Sequence, residues 1–168
     1  RDYYLGEKSS EEMAEKSYNE SPISFNVKAM DNMVEVKDNS SAPWLNPEDY
    51  FFTIWKDNTS CLALANGTDG YQGASYKTMA LVSNPDLLND KSCLWEFIKA
   101  ADGKYVMVNM SDRNNMMQTE TTANYFRYNN STTLSIEKAS VSFEEARLKN
   151  WAIKTPQGYL YGWDKSCA

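Results

Sequence analysis

From residue 23 onward, apolar and polar positions alternate with a period of two, the mark of half-buried strands. Ile23, Phe25 and Val27 alternate with Ser24, Asn26 and Lys28. After Asp31-Asn32 come Met33, Val34, Glu35 and Val36, so a hairpin about a short turn is predicted. Further strands are predicted at 75–82, 116–119, 125–128 and 133–138, whereas 143–148 reads helical. Polar, Pro-containing links fall at 38–47 and at Asn84-Pro85-Asp86, where Leu87 and Leu88 leave room for one helical turn. Residues 1–22 differ in character. Ser9-Ser10-Glu11-Glu12 is a capping box, Ser at the cap and Glu three residues on, and predicts a short helix to about residue 16. The organisation expected is an N-terminal extension or tether at 1–22 and one domain at 23–168.

Within that domain one phrase recurs. Phe52-Thr53-Ile54 leads to Leu62-Ala63-Leu64-Ala65-Asn66, and Trp95-Glu96-Phe97 leads to Tyr105-Val106-Met107-Val108-Asn109. A third copy runs from Trp151-Ala152-Ile153 to Tyr159-Leu160-Tyr161-Gly162-Trp163. The first two align without a gap, Lys56 with Lys99 and Asn66 with Asn109. The copies begin 43 and then 56 residues apart, the spacing of structural repeats. Each reads as strand, tight turn, strand, and in the second copy Asp102-Gly103 supplies the positive φ such a turn needs. Alternation puts Trp95 and Phe97 on one face with Glu96 on the other, and Trp151 and Ile153 opposite Ala152. On the third copy's second strand, Tyr159 and Tyr161 are expected on the core face. A single hairpin cannot bury its apolar face alone. Three about a common axis can, with Phe52, Trp95 and Trp151 packed together. With about twelve short strands, the fold class expected is all-β.

A threefold set of hairpins, each opening on an aromatic residue, resembles the β-trefoil over about residues 50–168. The hairpin at 23–36 would supply the strands that the shorter third copy lacks. Within trefoils, the run from Leu94-Trp95-Glu96-Phe97 through Asp102-Gly103 to Tyr105 and Asn109 is similar to the ricin-B-type lectin repeat. Departures are plain. That family's Gln-x-Trp is absent, since Trp95 follows Cys93-Leu94 and Trp151 follows Lys149-Asn150; Cys61-Leu62-Ala63 stands where the family has Cys-Leu-Asp. The resemblance implies six strands closing a barrel and six capping it. It further implies a non-catalytic, lectin-like module that binds carbohydrate, secreted or at the cell surface. Two alternatives stay open: a trefoil that binds another protein through an exposed loop, as inhibitor or adhesion types do, and an accessory domain of a glycan-processing system.

Composition narrows the chemistry. A chain of 168 residues is long enough to bury a real core. Its net charge of −6 argues against nucleic acid, which demands clustered Lys and Arg. No apolar run approaches the ~20 residues of a membrane helix, so no transmembrane segment is expected. The chain opens at Arg1 rather than Met, which suggests a trimmed product. With no histidine, Ser-His-Asp and Cys-His nucleophiles and His-ligated metals are excluded. Cys61, Cys93 and Cys167 match neither a zinc site nor a redox Cys-x-x-Cys pattern, and at most one internal disulfide can form among them. No catalytic residue, metal or cofactor is expected.

Sugars are held by an aromatic plate beside planar acceptors and donors. Two loops offer that mixture: Asp69, Tyr71 and Gln72, among glycines that let a ligand approach the backbone, and Trp163 with Asp164. The competing assignments are an ordinary solvated loop for the first and a core position for Trp163. Glu144-Glu145 could serve glycoside hydrolysis only across a cleft of defined width, and a solvated face is the simpler assignment. Met107, Met110, Met116 and Met117 read as core or loop filling. Seven Asn-x-Ser/Thr sites occur, two in register at Asn66 and Asn109. The number of sites permits glycosylation, but turn chemistry, with Asn bonding the backbone just beyond it in an Asn-rich chain, is the preferred explanation of that register.

Overall fold

The alternating segments become strands, and each strand pairing in the computed structural model is antiparallel. It describes residues 2–8, 26–36, 46–56, 59–69, 76–100, 102–120, 125–129, 134–145, 151–155 and 158–163. In chain order the strands are β1 (Asp2–Lys8), β2 (Asn26–Asp31), β3 (Val34–Glu35), β4 (Phe51–Lys56), β5 (Ser60–Asp69), β6 (Tyr76–Ser83) and β7 (Trp95–Lys99). There follow β8 (Tyr105–Asn109), β9 (Met116–Glu120), β10 (Tyr125–Asn129), β11 (Ser142–Glu145), β12 (Trp151–Thr155) and β13 (Gly158–Trp163). The fold is all-β. The main path of pairing runs β11-β12-β13-β1-β10-β6-β5-β4-β2-β3, with β7 joining β4 to β8 and β9 joined to β10. No helix among the described residues is long and apolar enough to cross a membrane.

The three expected hairpins are the pairs β4–β5, β7–β8 and β12–β13. Gly103 takes φ +70° in the β7–β8 turn, as the Asp-Gly pair predicts. In the β2–β3 hairpin Asn32 and Met33 both have positive φ, 50° and 63°, so the two-residue turn has the primed geometry that matches strand twist. Within the segment expected as a tether, residues 2–8 form β1, which pairs with β13, β10 and β6. The helix expected at 9–16 lies outside the described residues.

Phe52, Ile54, Trp95 and Phe97 are wholly buried in one cluster with Tyr105, Met107, Tyr128, Ile153 and Leu160. Phe52 meets Phe97 edge-on at 5.0 Å, and the Trp95 indole donates to the Leu62 carbonyl at 3.1 Å. Glu96, on the opposite face of β7 from Trp95 and Phe97, pairs with Arg113 at 2.9 Å. The side chain of Trp151 lies outside the described set. On β13 Leu160 is buried in the main core, and the side chains of Tyr159 and Tyr161, expected on the core face, lie outside the described set.

Two predicted elements are corrected. The 133–138 strand is instead a 3₁₀ turn at Ile136–Lys138, closed by Lys138 N–H to Ser135 O and Ala139 N–H to Ile136 O. Ile136 points outward there, while Leu134 and Ala139 pack against Val106 and Val108. Of the helix expected at 143–148, residues 143–145 belong instead to β11, because Phe143 opposite Ile153 stacks on Phe52 at 5.7 Å and meets Phe97 at 4.5 Å, while 146–148 lie outside the described residues. Long-range aromatic packing outweighs the local helical preference of Glu-Glu-Ala.

Candidate functional site

The apolar run Cys61-Leu62-Ala63-Leu64 is buried on both faces, unlike an ordinary surface strand. Leu62 and Leu64 enter the main core, whereas Cys61 and Ala63 meet Cys93, Trp55, Val82 and Leu87 on the other side. The second cluster exists because the link between β6 and β7 folds over the outer face of β5. A turn closed by Asp90 N–H to Asp86 O at 2.7 Å leads into a 3₁₀ turn, Lys91–Cys93. Asp90 caps it: its Oδ1 accepts from the Ser92 N–H at 3.0 Å and from the Ser92 hydroxyl at 2.5 Å.

Where this cover ends, a cleft of about 410 Å³ opens. Its floor is apolar, from Ala63, Leu64 and Ala65 of β5 with Ala80 and Val82 of β6. Its wall is polar, from Asp90, Lys91 and Ser92 of the capped turn and Ser111 beyond β8. Such a volume lies in the range of small-molecule sites. Close to Ala65 the β5–β6 register slips, with Leu64 opposite Met79 but Thr68 opposite Lys77. That bulge carries the β5 backbone away from the regular ladder at the floor's edge.

Asn109 builds the wall. It is wholly buried at the end of β8, and its Nδ2 donates to the Ser92 carbonyl at 2.8 Å. Its Oδ1 accepts from the Ser111 N–H at 2.9 Å and the Ser111 hydroxyl at 2.6 Å. One amide therefore joins the two polar segments that face the cleft. The turn chemistry expected of this position is what forms, and the bonded, enclosed Nδ2 leaves a glycan no room in the folded chain.

Behind Asn109 stands Tyr128, also wholly buried and edge-on to Trp95 at 6.0 Å. Its hydroxyl accepts the Asn109 backbone N–H at 3.0 Å and offers its proton to the carbonyls of Asp112 and Asn115. Burial pushes the Tyr128 hydroxyl pKa up. Lys77 pairs with Asp112 at 3.2 Å, tying β6 to the same turn.

Of the residues singled out from sequence, Asp69 and Trp163 have a described place in the backbone. Asp69 ends β5 opposite Tyr76, and Trp163 ends β13 opposite Tyr4. On the main path of pairing β1, β10 and β6 stand between β13 and β5, so Asp69 and Trp163 belong to strands that are not neighbours. Tyr71, Gln72 and Asp164 lie outside the described residues. Glu144 and Glu145 occupy consecutive positions of β11, opposite Ala152 and Trp151. Among the described residues no group of acidic and cysteine side chains is placed to hold a metal. Asp90, Lys91, Ser92 and Ser111 carry no motif in the sequence that marks them as a site. The one available signal was the Asn-x-Ser register at Asn109, which marks the wall but not the floor. No protein-family model, no curated protein and no solved structure matches the chain.

Proposed function

We propose that this protein is a non-catalytic binding module that holds a carbohydrate, or another compact polyhydroxylated ligand, in the cleft over β5 and β6. The observation that carries this reading is where the hydroxyl protons go. Ser92 donates its proton to Asp90, and Ser111 donates its own to Asn109. Each serine oxygen keeps its lone pairs, so the wall offers acceptors in a row with Lys91 as a donor. A ligand rich in O–H groups complements such a wall, and the alanine-rich floor suits the apolar face of a sugar ring. An anionic ligand would meet acceptors and a chain of net charge −6.

A β-trefoil of ricin-B-type ancestry remains the architecture we favour. Support comes from the three hairpin pairs and from Phe52, Trp95 and Ile153 sharing one core. It comes also from β5 and β8, the second strands of two copies, each covered on its outer face by a following link. A secreted or cell-surface setting accompanies this reading. Leu88, 75% exposed two residues before Asp90, favours a protein partner as the second reading.

A glycan array probed with the purified chain tests the first reading. Binding to a defined glycan class is expected, lost in Ala80→Leu, which fills the floor, and weakened in Lys91→Ala. Glycan binding untouched by both substitutions, or no binding to any glycan, would refute the assignment to this cleft.

A further inference from the structure

Cys61 and Cys93 lie 32 residues apart in sequence yet meet beneath the cleft. Both are wholly buried in one small cluster with Ala63, enclosed by Trp55, Val82 and Leu87. The Cys61 sulfur is 3.7 Å from the Cys93 carbonyl oxygen. Both backbones are held in place. Cys61 sits in β5 between Trp55 of β4 and Val82 of β6, and Cys93 ends the 3₁₀ turn whose N-cap is Asp90. Both are free thiols in this structure, and closing the bond requires the two sulfurs to come to bonding distance.

We propose that Cys61 and Cys93 are a disulfide site, closed by exchange with a small-molecule disulfide, that clips the wall of the cleft to its floor. One thiolate attacks a sulfur of glutathione disulfide, forming a mixed disulfide and releasing one glutathione thiolate. The second cysteine, as thiolate, attacks the protein sulfur of that mixed disulfide and releases the other glutathione. Two protein thiols are oxidised, one glutathione disulfide is reduced, and the two thiol protons pass to the departing glutathiones. Since both sulfurs are enclosed in the folded chain, exchange takes place during folding, before Leu87 and Val82 close over the pair. At that stage the thiols are still exposed and ionise near the ordinary cysteine value of about 8.5, so closure is faster in mildly alkaline buffer. This inference is independent of what the cleft holds.

The test is oxidative refolding of the full chain, wild type and Cys167→Ser, in oxidised or in reduced glutathione. Unfolding, alkylation and peptide mapping by mass spectrometry follow. After oxidised refolding, the peptides bearing Cys61 and Cys93 are expected joined and unalkylated, and after reduced refolding both are alkylated. The oxidised form is expected to melt roughly 5–10 °C higher, for a disulfide closing a loop of this length in a chain of this size. Two alkylated thiols after oxidised refolding would overturn the proposal. So would mixed disulfides with glutathione alone, or a wild-type cross-link that joins Cys167 to either partner. If Cys167→Ser fails to fold, the wild-type peptide map decides by itself.

Discussion

Replacing Asn109 by alanine removes three hydrogen bonds from a fully buried side chain: one donated to Ser92 and two received from Ser111. Ser92 is half-buried and Ser111 exposed, so the freed groups regain water. The net value of about 1 kcal/mol per bond therefore applies, rather than the full penalty of a stranded polar atom. The expected loss is about 3 kcal/mol. The backbone bond from Asn109 to Tyr128 survives, since it does not involve the side chain. Ser111→Ala provides the comparison, because it deletes the hydroxyl bond but keeps the bond from its N–H. Its expected cost is about 1 kcal/mol. Urea unfolding with an unchanged denaturant slope measures both. The two substitutions abolish the same glycosylation sequon. Equal losses, or a loss below about 1 kcal/mol for Asn109→Ala, would refute the assignment of Asn109 as the clasp between the two polar walls.

Four further outcomes are expected. Gly103→Ala costs about 1–2 kcal/mol by thermal melting, since φ is +70° and no atom lies within 4 Å of the added carbon, which leaves backbone strain alone. Thr78→Val raises stability by up to about 1 kcal/mol, because the buried Thr78 hydroxyl has no hydrogen-bond partner among the described residues. Tyr128 holds its proton in the fold above the ordinary tyrosine pKa of about 10, whereas the unfolded chain releases it there. Its contribution is thus complete below that pH and lost as pH rises through the folded pKa; Tyr128→Phe flattens this alkaline fall in urea titrations run at stepped pH. Arg113→Ala costs less than about 1 kcal/mol and less still in high salt, the guanidinium being largely exposed where it meets Glu96.

Strands were legible where burial on one face writes itself into alternation. Trp95, Glu96 and Phe97 announce β7, and Asp102-Gly103 announces its turn, because both signals are local. β11 was not legible, since Glu144 and Glu145 carry helical preference and only the distant Phe52, Phe97 and Ile153 give Phe143 a reason to be extended. Nor was β1, whose partners on β6, β10 and β13 lie far along the chain. The cleft escaped for the same reason. Its floor comes from two strands, and its wall from one capped turn and one serine beyond β8. The turn-forming role of Asn109 could be read from its neighbours, but the Ser92 carbonyl that makes it a clasp is 17 residues away.

The most direct test of ligand binding is an amide NMR titration of the assigned protein with the best glycan from the array. Saturable shifts are expected at Ala63, Leu64, Ala65, Asp90, Lys91, Ser92 and Ser111, with the far face of the sheet silent. Shifts confined to residues 69–73 and Trp163, or none at all at millimolar sugar, would contradict a carbohydrate site in this cleft.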